Sequence, residues 1–276
     1  MKKEIGRACL VALVRALMFV IAALAAVPHR VAASDNVWEE LVVESEQSGF
    51  VRGIEFDLSF HTRYIDPDVG VVIYDREVVQ TNLWFLLPAG AYVGVFASSG
   101  LDLQTEEDDF SDEIDWTLGK EWGLPGEFVL DTAVAWCDSQ ALFDGHSGTN
   151  DVLWARARVD APELEFGRAL LTPYGYVTGL WTFGDSMFEG GVVAGLGAEG
   201  SYELTERLRC VYDLMVGWDG GCYGNDPGVI LKLFGGLEYD LSERWKIMAG
   251  GTAWCPLGSD NRVSERFATV TLSFAF

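Results

Sequence analysis

ATVTLSFAF, residues 268–276, decides how the rest of the chain is read. Side chains alternate across a strand. Ala268, Val270, Leu272, Phe274 and Phe276 therefore share one face, and Thr269, Thr271, Ser273 and Ala275 share the other. The last residues of soluble proteins usually fray. Here the final residue is a large aromatic on the bulky face.

IEFDLSFHTRYI, residues 54–65, repeats the pattern. Ile54, Phe56, Leu58, Phe60 and Tyr64 point one way, and Glu55, Asp57, Ser59, His61 and Arg63 the other, so one face meets apolar material and one meets water. The same alternation predicts strands near 78–87, 91–98, 113–122, 128–137, 152–160, 171–182, 192–204, 207–218, 229–241, 245–255 and 266–276, twelve in all with 54–65. Many run ten residues or more, against about 5–6 in soluble sheets and about 9–11 for a tilted membrane-crossing strand. Turns at 88–90, 124–126, 204–207 and 241–244 are tight, with a longer one at 161–170. The alternate connections, 66–77, 99–112, 138–151, 183–191, 219–228 and 256–265, are mostly long and polar. Short turns on one rim and long loops on the other are the pattern of outer-membrane barrels. The expected fold is all-β, an antiparallel transmembrane β-barrel of about 12 strands over residues 54–276. A soluble periplasmic β-sandwich binding protein is the alternative fold, but its strands would be shorter and its outward face polar.

Composition agrees. Half the chain is apolar, and 31 Gly with 10 Trp, 9 Tyr and 16 Phe favour strands and turns. The formal charge of −23 excludes a nucleic-acid partner that needs basic patches. Residues 1–33 join a basic MKKEIGR to an apolar LVALVRALMFVIAALAA and end in Val31-Ala32-Ala33, which reads as a signal peptide cut after Ala33. Without it the chain carries 14 Lys and Arg against 41 Asp and Glu. Residues 34–53 form a periplasmic N-terminal segment, of which 35–50 could plug the barrel.

The ending Val270, Leu272, Phe274, Phe276 resembles the C-terminal assembly signal of bacterial outer-membrane β-barrel proteins. That resemblance implies the outer-membrane lipid bilayer and the barrel-assembly machinery as partners. A closer likeness runs from LSFHTRYIDPDVGVVIYDREVVQTNLWFLLPAGAYVGVFASSGLD to EIDWTLGKEW, which is similar to the start of TorF-type porins. IDPDVG stands where that group usually has arginine-glycine. The likeness implies a barrel and a channel for small solutes.

No catalytic, cofactor or metal set emerges from the spacing. Gly195-Leu-Gly197-Ala-Glu-Gly200 matches GxGxxG but lies inside a strand rather than between a strand and a helix. His146-Ser147 sits in a Gly- and Ser-rich stretch; as a Ser–His pair it would carry the alternative function, an outer-membrane lipid-modifying or hydrolytic barrel enzyme. Cys137, Cys222 and Cys255 fall near the long-loop rim, where a disulfide could form, and Cys210 points outward near the other rim. The acidic run 101–115 lacks the spacing of a calcium loop.

Parity assigns the lumen instead. Its acids are Glu55, Asp57, Asp115, Glu121, Asp131, Glu199, Glu203, Asp213, Glu238 and Asp240, and its bases are Arg63, Arg156, Arg158, Arg209, Lys232 and Lys246, with His61 as a satisfied polar residue. Acids exceed bases, so the expected function is a passive channel preferring cationic or neutral solutes, or a structural barrel.

Overall fold

The computed structural model describes residues 51–101, 113–138, 151–183, 188–257 and 263–276. The expected signal peptide, the 35–50 plug, most of the acidic run and the His146-Ser147 pair lie outside these residues.

Fifteen strands follow in chain order: β1 Gly53–His61, β2 Tyr64–Ile65, β3 Val72–Tyr74, β4 Val78–Leu86, β5 Ala91–Gly100, β6 Glu113–Gly123, β7 Val129–Asp138, β8 Val152–Asp160, β9 Leu164–Phe166, β10 Ala169–Thr182, β11 Gly191–Glu203, β12 Leu208–Asp219, β13 Gly228–Asp240, β14 Trp245–Leu257 and β15 Glu265–Ala275. Twelve of them, all but β2, β3 and β9, pair antiparallel with their chain neighbours, and β15 returns to β1 to close the barrel. Closure leaves no open edge, which is what a sheet in lipid requires. At the seam Ile54 N–H donates to the Phe276 carbonyl (2.8 Å), and Phe276 N–H donates to the Ile54 carbonyl (2.9 Å).

The outward face is the apolar one. Trp116, Leu118, Val134, Trp136, Trp181, Leu196, Leu214, Trp218, Leu237 and Val270 are exposed on it. Trp136, Trp181 and Trp218 lie toward the long-loop rim, and Trp122, Tyr202 and Tyr239 toward the short-turn rim. Two such aromatic girdles bound the apolar band of a membrane barrel.

The expected strand over 54–65 is not continuous. Its pairing with β4 and β15 ends at His61, the backbone bends at Thr62 and Arg63, and Tyr64–Ile65 pairs instead with Val72–Tyr74. The bend breaks the alternation. Tyr64, expected on the outward face, is buried inside at 8 % exposure. The 161–170 connection is shorter than expected, because Leu164–Phe166 folds back on Ala169–Leu171 as a small hairpin. All four described cysteines, Cys137, Cys210, Cys222 and Cys255, are free thiols, so the open possibility of a disulfide is not realised.

Candidate functional site

The loop 62–77 folds into the barrel from the long-loop rim. Its turn is fixed by its own first acid: the N–H groups of Asp68 and Val69 donate to Asp66 Oδ1 (2.9 and 2.8 Å). Gly70, at φ +74°, and the N–H of Asp66 on the Val71 carbonyl (2.8 Å) complete the reversal. The turn reaches the far wall through three hydroxyls. Tyr176 donates to the Asp68 carbonyl (3.2 Å), Thr178 to Asp68 Oδ2 (3.1 Å) and Tyr223 to Asp66 Oδ2 (2.9 Å). Val69 and Ile65 are buried in one apolar cluster with Val193, Met215, Ile230 and Trp254. Burial pushes the Asp66 carboxyl up to about 6, Asp68 adds to the rise, and the bonds from Tyr223, Val69 and Asp68 oppose it. Burial also raises Tyr64 and Tyr223 above the usual phenol range and lifts the Cys222 thiol to about 12.

Beside this loop a cavity of about 410 Å³ remains inside the barrel. Ser59, His61, Asn82, Trp84, Arg156 and Phe267 contribute to its lining, together with the loop's Tyr64, Asp66 and Asp68. His61 packs against the Phe267 ring with centroids 5.7 Å apart. Arg63 also lines the cavity and is held by Asp75 and Glu265, each at 2.7 Å.

Nearer the short-turn rim the interior is crossed by ion pairs. Asp131 stands opposite Arg158 in register and takes the Arg156 guanidinium at 3.2 Å. Arg158 reaches Asp160 (2.8 Å) and Glu199 (2.6 Å) while lying over the Tyr174 ring at 4.1 Å. Lys232 meets Asp213 at 2.9 Å, and the same Asp213 accepts from Tyr174 at 2.7 Å. Arg209 joins Glu238 and Asp240, and Lys246 reaches Glu238 at 3.8 Å. Each of these cations is thus held by an acid. No described ion pair engages Glu55, Asp57 or Glu121. Glu55 pairs in register with Trp84, Asp57 with Asn82, and Glu121 with Asp131.

The expected lumen residues therefore sort by partner. Arg156, Arg158, Asp131, Arg209, Asp213, Lys232, Glu238 and Lys246 form the ion-pair networks; His61, Arg63 and Asp115 lie at the cavity, which Arg156 also lines; Glu55, Asp57 and Glu121 take part in no ion pair among the described residues. Sequence reasoning did not single out the tyrosines. Tyr92 donates to Asp131 (2.7 Å) and Tyr174 to Asp213, tying the charged networks to the wall. A signal was present in the glycine run of β11. A Cβ on Gly197 would fall on the Tyr174 ring and 2.7 Å from the Leu214 carbonyl oxygen. The GxGxxG match thus leaves room for an aromatic ring inside a barrel rather than for a pyrophosphate. Reasoning along the chain also missed Glu113, Asp115 and Cys137 as neighbours, because strand register alone brings them together.

No family model matches the chain, and no curated protein matches it. Among solved structures it is similar to the KdgM porin, at a TM-score of 0.50 and 8 % identity, covering 81 % of this chain and 99 % of that one. It is similar to the NanC porin at a TM-score of 0.50 and 8 % identity, covering 79 % and 98 %. These likenesses show the fold: a closed 12-stranded antiparallel barrel of the kind built by outer-membrane porins.

Proposed function

We propose that the chain is a porin-like channel of the bacterial outer membrane, passing small solutes and preferring cationic or neutral ones. One observation carries the preference. The lumen bases Arg156, Arg158, Arg209, Lys232 and Lys246 are each held by acids, whereas Glu55, Asp57 and Glu121 take no basic partner among the described residues. The fixed charge left over is negative, and charge lining a narrow path selects ions of opposite sign. The cavity beside the loop 62–77 supports passage for small solutes only.

The same reading holds that residues 1–33 are removed after Ala33 and that the barrel-assembly machinery recognises Val270, Leu272, Phe274 and Phe276. It groups the chain with the TorF-type porins on the residues of its first hairpins. Purified mature protein in a planar bilayer tests the channel. A reversal potential of cation-selective sign across a salt gradient is the expected result. An anion-selective sign would refute the preference, and no conductance would refute the channel. Membranes extracted with detergent should yield a chain beginning at Ser34.

A further inference from the structure

Where the incurved loop meets the wall, β6 and β7 place three ligand-type side chains together. Asp115 stands opposite Cys137 in register, and Glu113 lies on the same face two residues before Asp115. One ligand atom from each of Glu113, Asp115 and Cys137 lies within 4.8 Å of the others. The set joins two carboxylates to a thiol. Cys137 is 6 % exposed and Asp115 9 %.

Two independent observations point to a missing positive charge here. Asp115 shares side-chain hydrogen bonds with Glu113 and Cys137, yet its Oδ1 is buried and finds no hydrogen-bond partner among the described residues. A buried acceptor left unpaired is rare in folded proteins. In addition, the described ion pairs bring no Lys, Arg or His to Glu113 or Asp115; the nearby Arg63 is taken by Asp75 and Glu265. Asp66 adds a further carboxylate to the same surroundings. Buried charges are normally paired or coordinate metals.

We infer that Glu113, Asp115 and Cys137 form a binding site for a divalent cation of the zinc class. Thiolate with carboxylate suits a borderline-soft ion, whereas calcium and magnesium take oxygen alone. Such an ion holds its ligands at about 2.0–2.3 Å, so a modest inward turn of the three side chains from their present separations closes the site. Tyr64 O–H donates to Glu113 Oε2 at 2.7 Å, the kind of outer contact that orients a ligating carboxylate. On binding, the Cys137 proton leaves to solvent and the two carboxylates and the thiolate face the cation. Because Tyr64 belongs to the inserted loop, the ion would also fasten that loop to the barrel wall.

Cadmium is the probe, because a cadmium–thiolate bond has an ultraviolet charge-transfer band that carboxylates alone do not give. The refolded full chain in detergent should gain this band and saturate near one equivalent. Cys137→Ser should lose the band, while Cys210→Ser and Cys255→Ser should keep it. Asp115→Asn and Glu113→Gln should each weaken binding by at least about ten-fold. Heat-modifiable gel migration shows in every case that the barrel is folded. Absence of the band in wild type, its survival in Cys137→Ser, or unchanged affinity in both carboxamide variants would each overturn the site.

Discussion

Ile54 and Phe276 exchange two backbone hydrogen bonds, and this pair joins the first barrel strand to the last residue. The Phe276 side chain lies on the outer face, 59 % exposed, with the Arg244 guanidinium over its ring at 4.8 Å. Deleting Phe276 removes both bonds at the seam, each worth about 0.5–1.5 kcal/mol, together with the terminal aromatic. The deletion should lower the fraction of heat-modifiable, inserted barrel while export continues. Phe276→Asp keeps the backbone bonds and should still assemble less well, because the ring is lost. Unchanged migration of both variants on a gel would count against a role for this residue in assembly.

Docking of the loop 62–77 should depend on pH through Asp66. Its carboxyl titrates at about 6 when docked, against an ordinary value of 3.8, mainly because it is buried. The docked form therefore binds the proton more tightly. Its stabilisation is full below about pH 4 and is lost as pH rises through 6, a swing of roughly 3 kcal/mol. Hydrogen exchange of the amides of 66–71, followed with a chelator present, should be slower at pH 4 than at pH 7. Asp66→Asn should flatten that dependence. Faster exchange at the lower pH, after correction for intrinsic rates, would reverse the assignment.

Arg158 holds both Asp160 and Glu199. Arg158→Ala leaves two uncompensated acids in the lumen. One unpaired negative charge about 8 Å from the ion path attracts a cation and repels an anion by roughly 0.5 kcal/mol each in water, about a five-fold change in the ratio of cation to anion permeability. The variant should move the reversal potential further in the cation-selective direction. Glu55→Gln, Asp57→Asn and Glu121→Gln combined should move it back. A shift of opposite sign in either variant would show that other groups govern the path.

Gly200 on β11 tests the close packing of that wall. A Cβ there would overlap the Leu170 carbonyl oxygen and come within 2.9 Å of the Tyr212 hydroxyl, which itself donates to that carbonyl at 2.8 Å. Backbone cannot rotate away as a side-chain tip can. Gly200→Ala should destabilise the barrel by about 1–3 kcal/mol, read from urea unfolding in detergent. Gly123→Ala, where a Cβ meets nothing within 4 Å, is the control and should change little.

The sequence by itself determined the barrel and its two faces. Period-two alternation is a local property, so Ile54, Phe56 and Leu58 declared their side without any knowledge of neighbours, as did Val270, Leu272 and Phe274. Alternating short and long connections then set the strand count and the direction of each strand. The lumen assignment of Arg156, Arg158, Asp131 and Glu238 followed from the same parity. Alternation stops carrying information where the barrel ladder stops, and that is why Tyr64 was misplaced: after His61 the backbone leaves β4 and β15, bends, and pairs with Val72–Tyr74 instead, so the barrel no longer maintains the parity. Only the tertiary structure decided that residues 62–77 turn inward, because that depends on the distant hydroxyls of Tyr176, Thr178 and Tyr223 meeting Asp66 and Asp68. Only register decided that Asp115 faces Cys137, and only the curvature of the closed wall decided that Glu199 can reach Arg158 across β10. Contacts between residues far apart in the chain depend on how the sheet closes, and no local pattern records them.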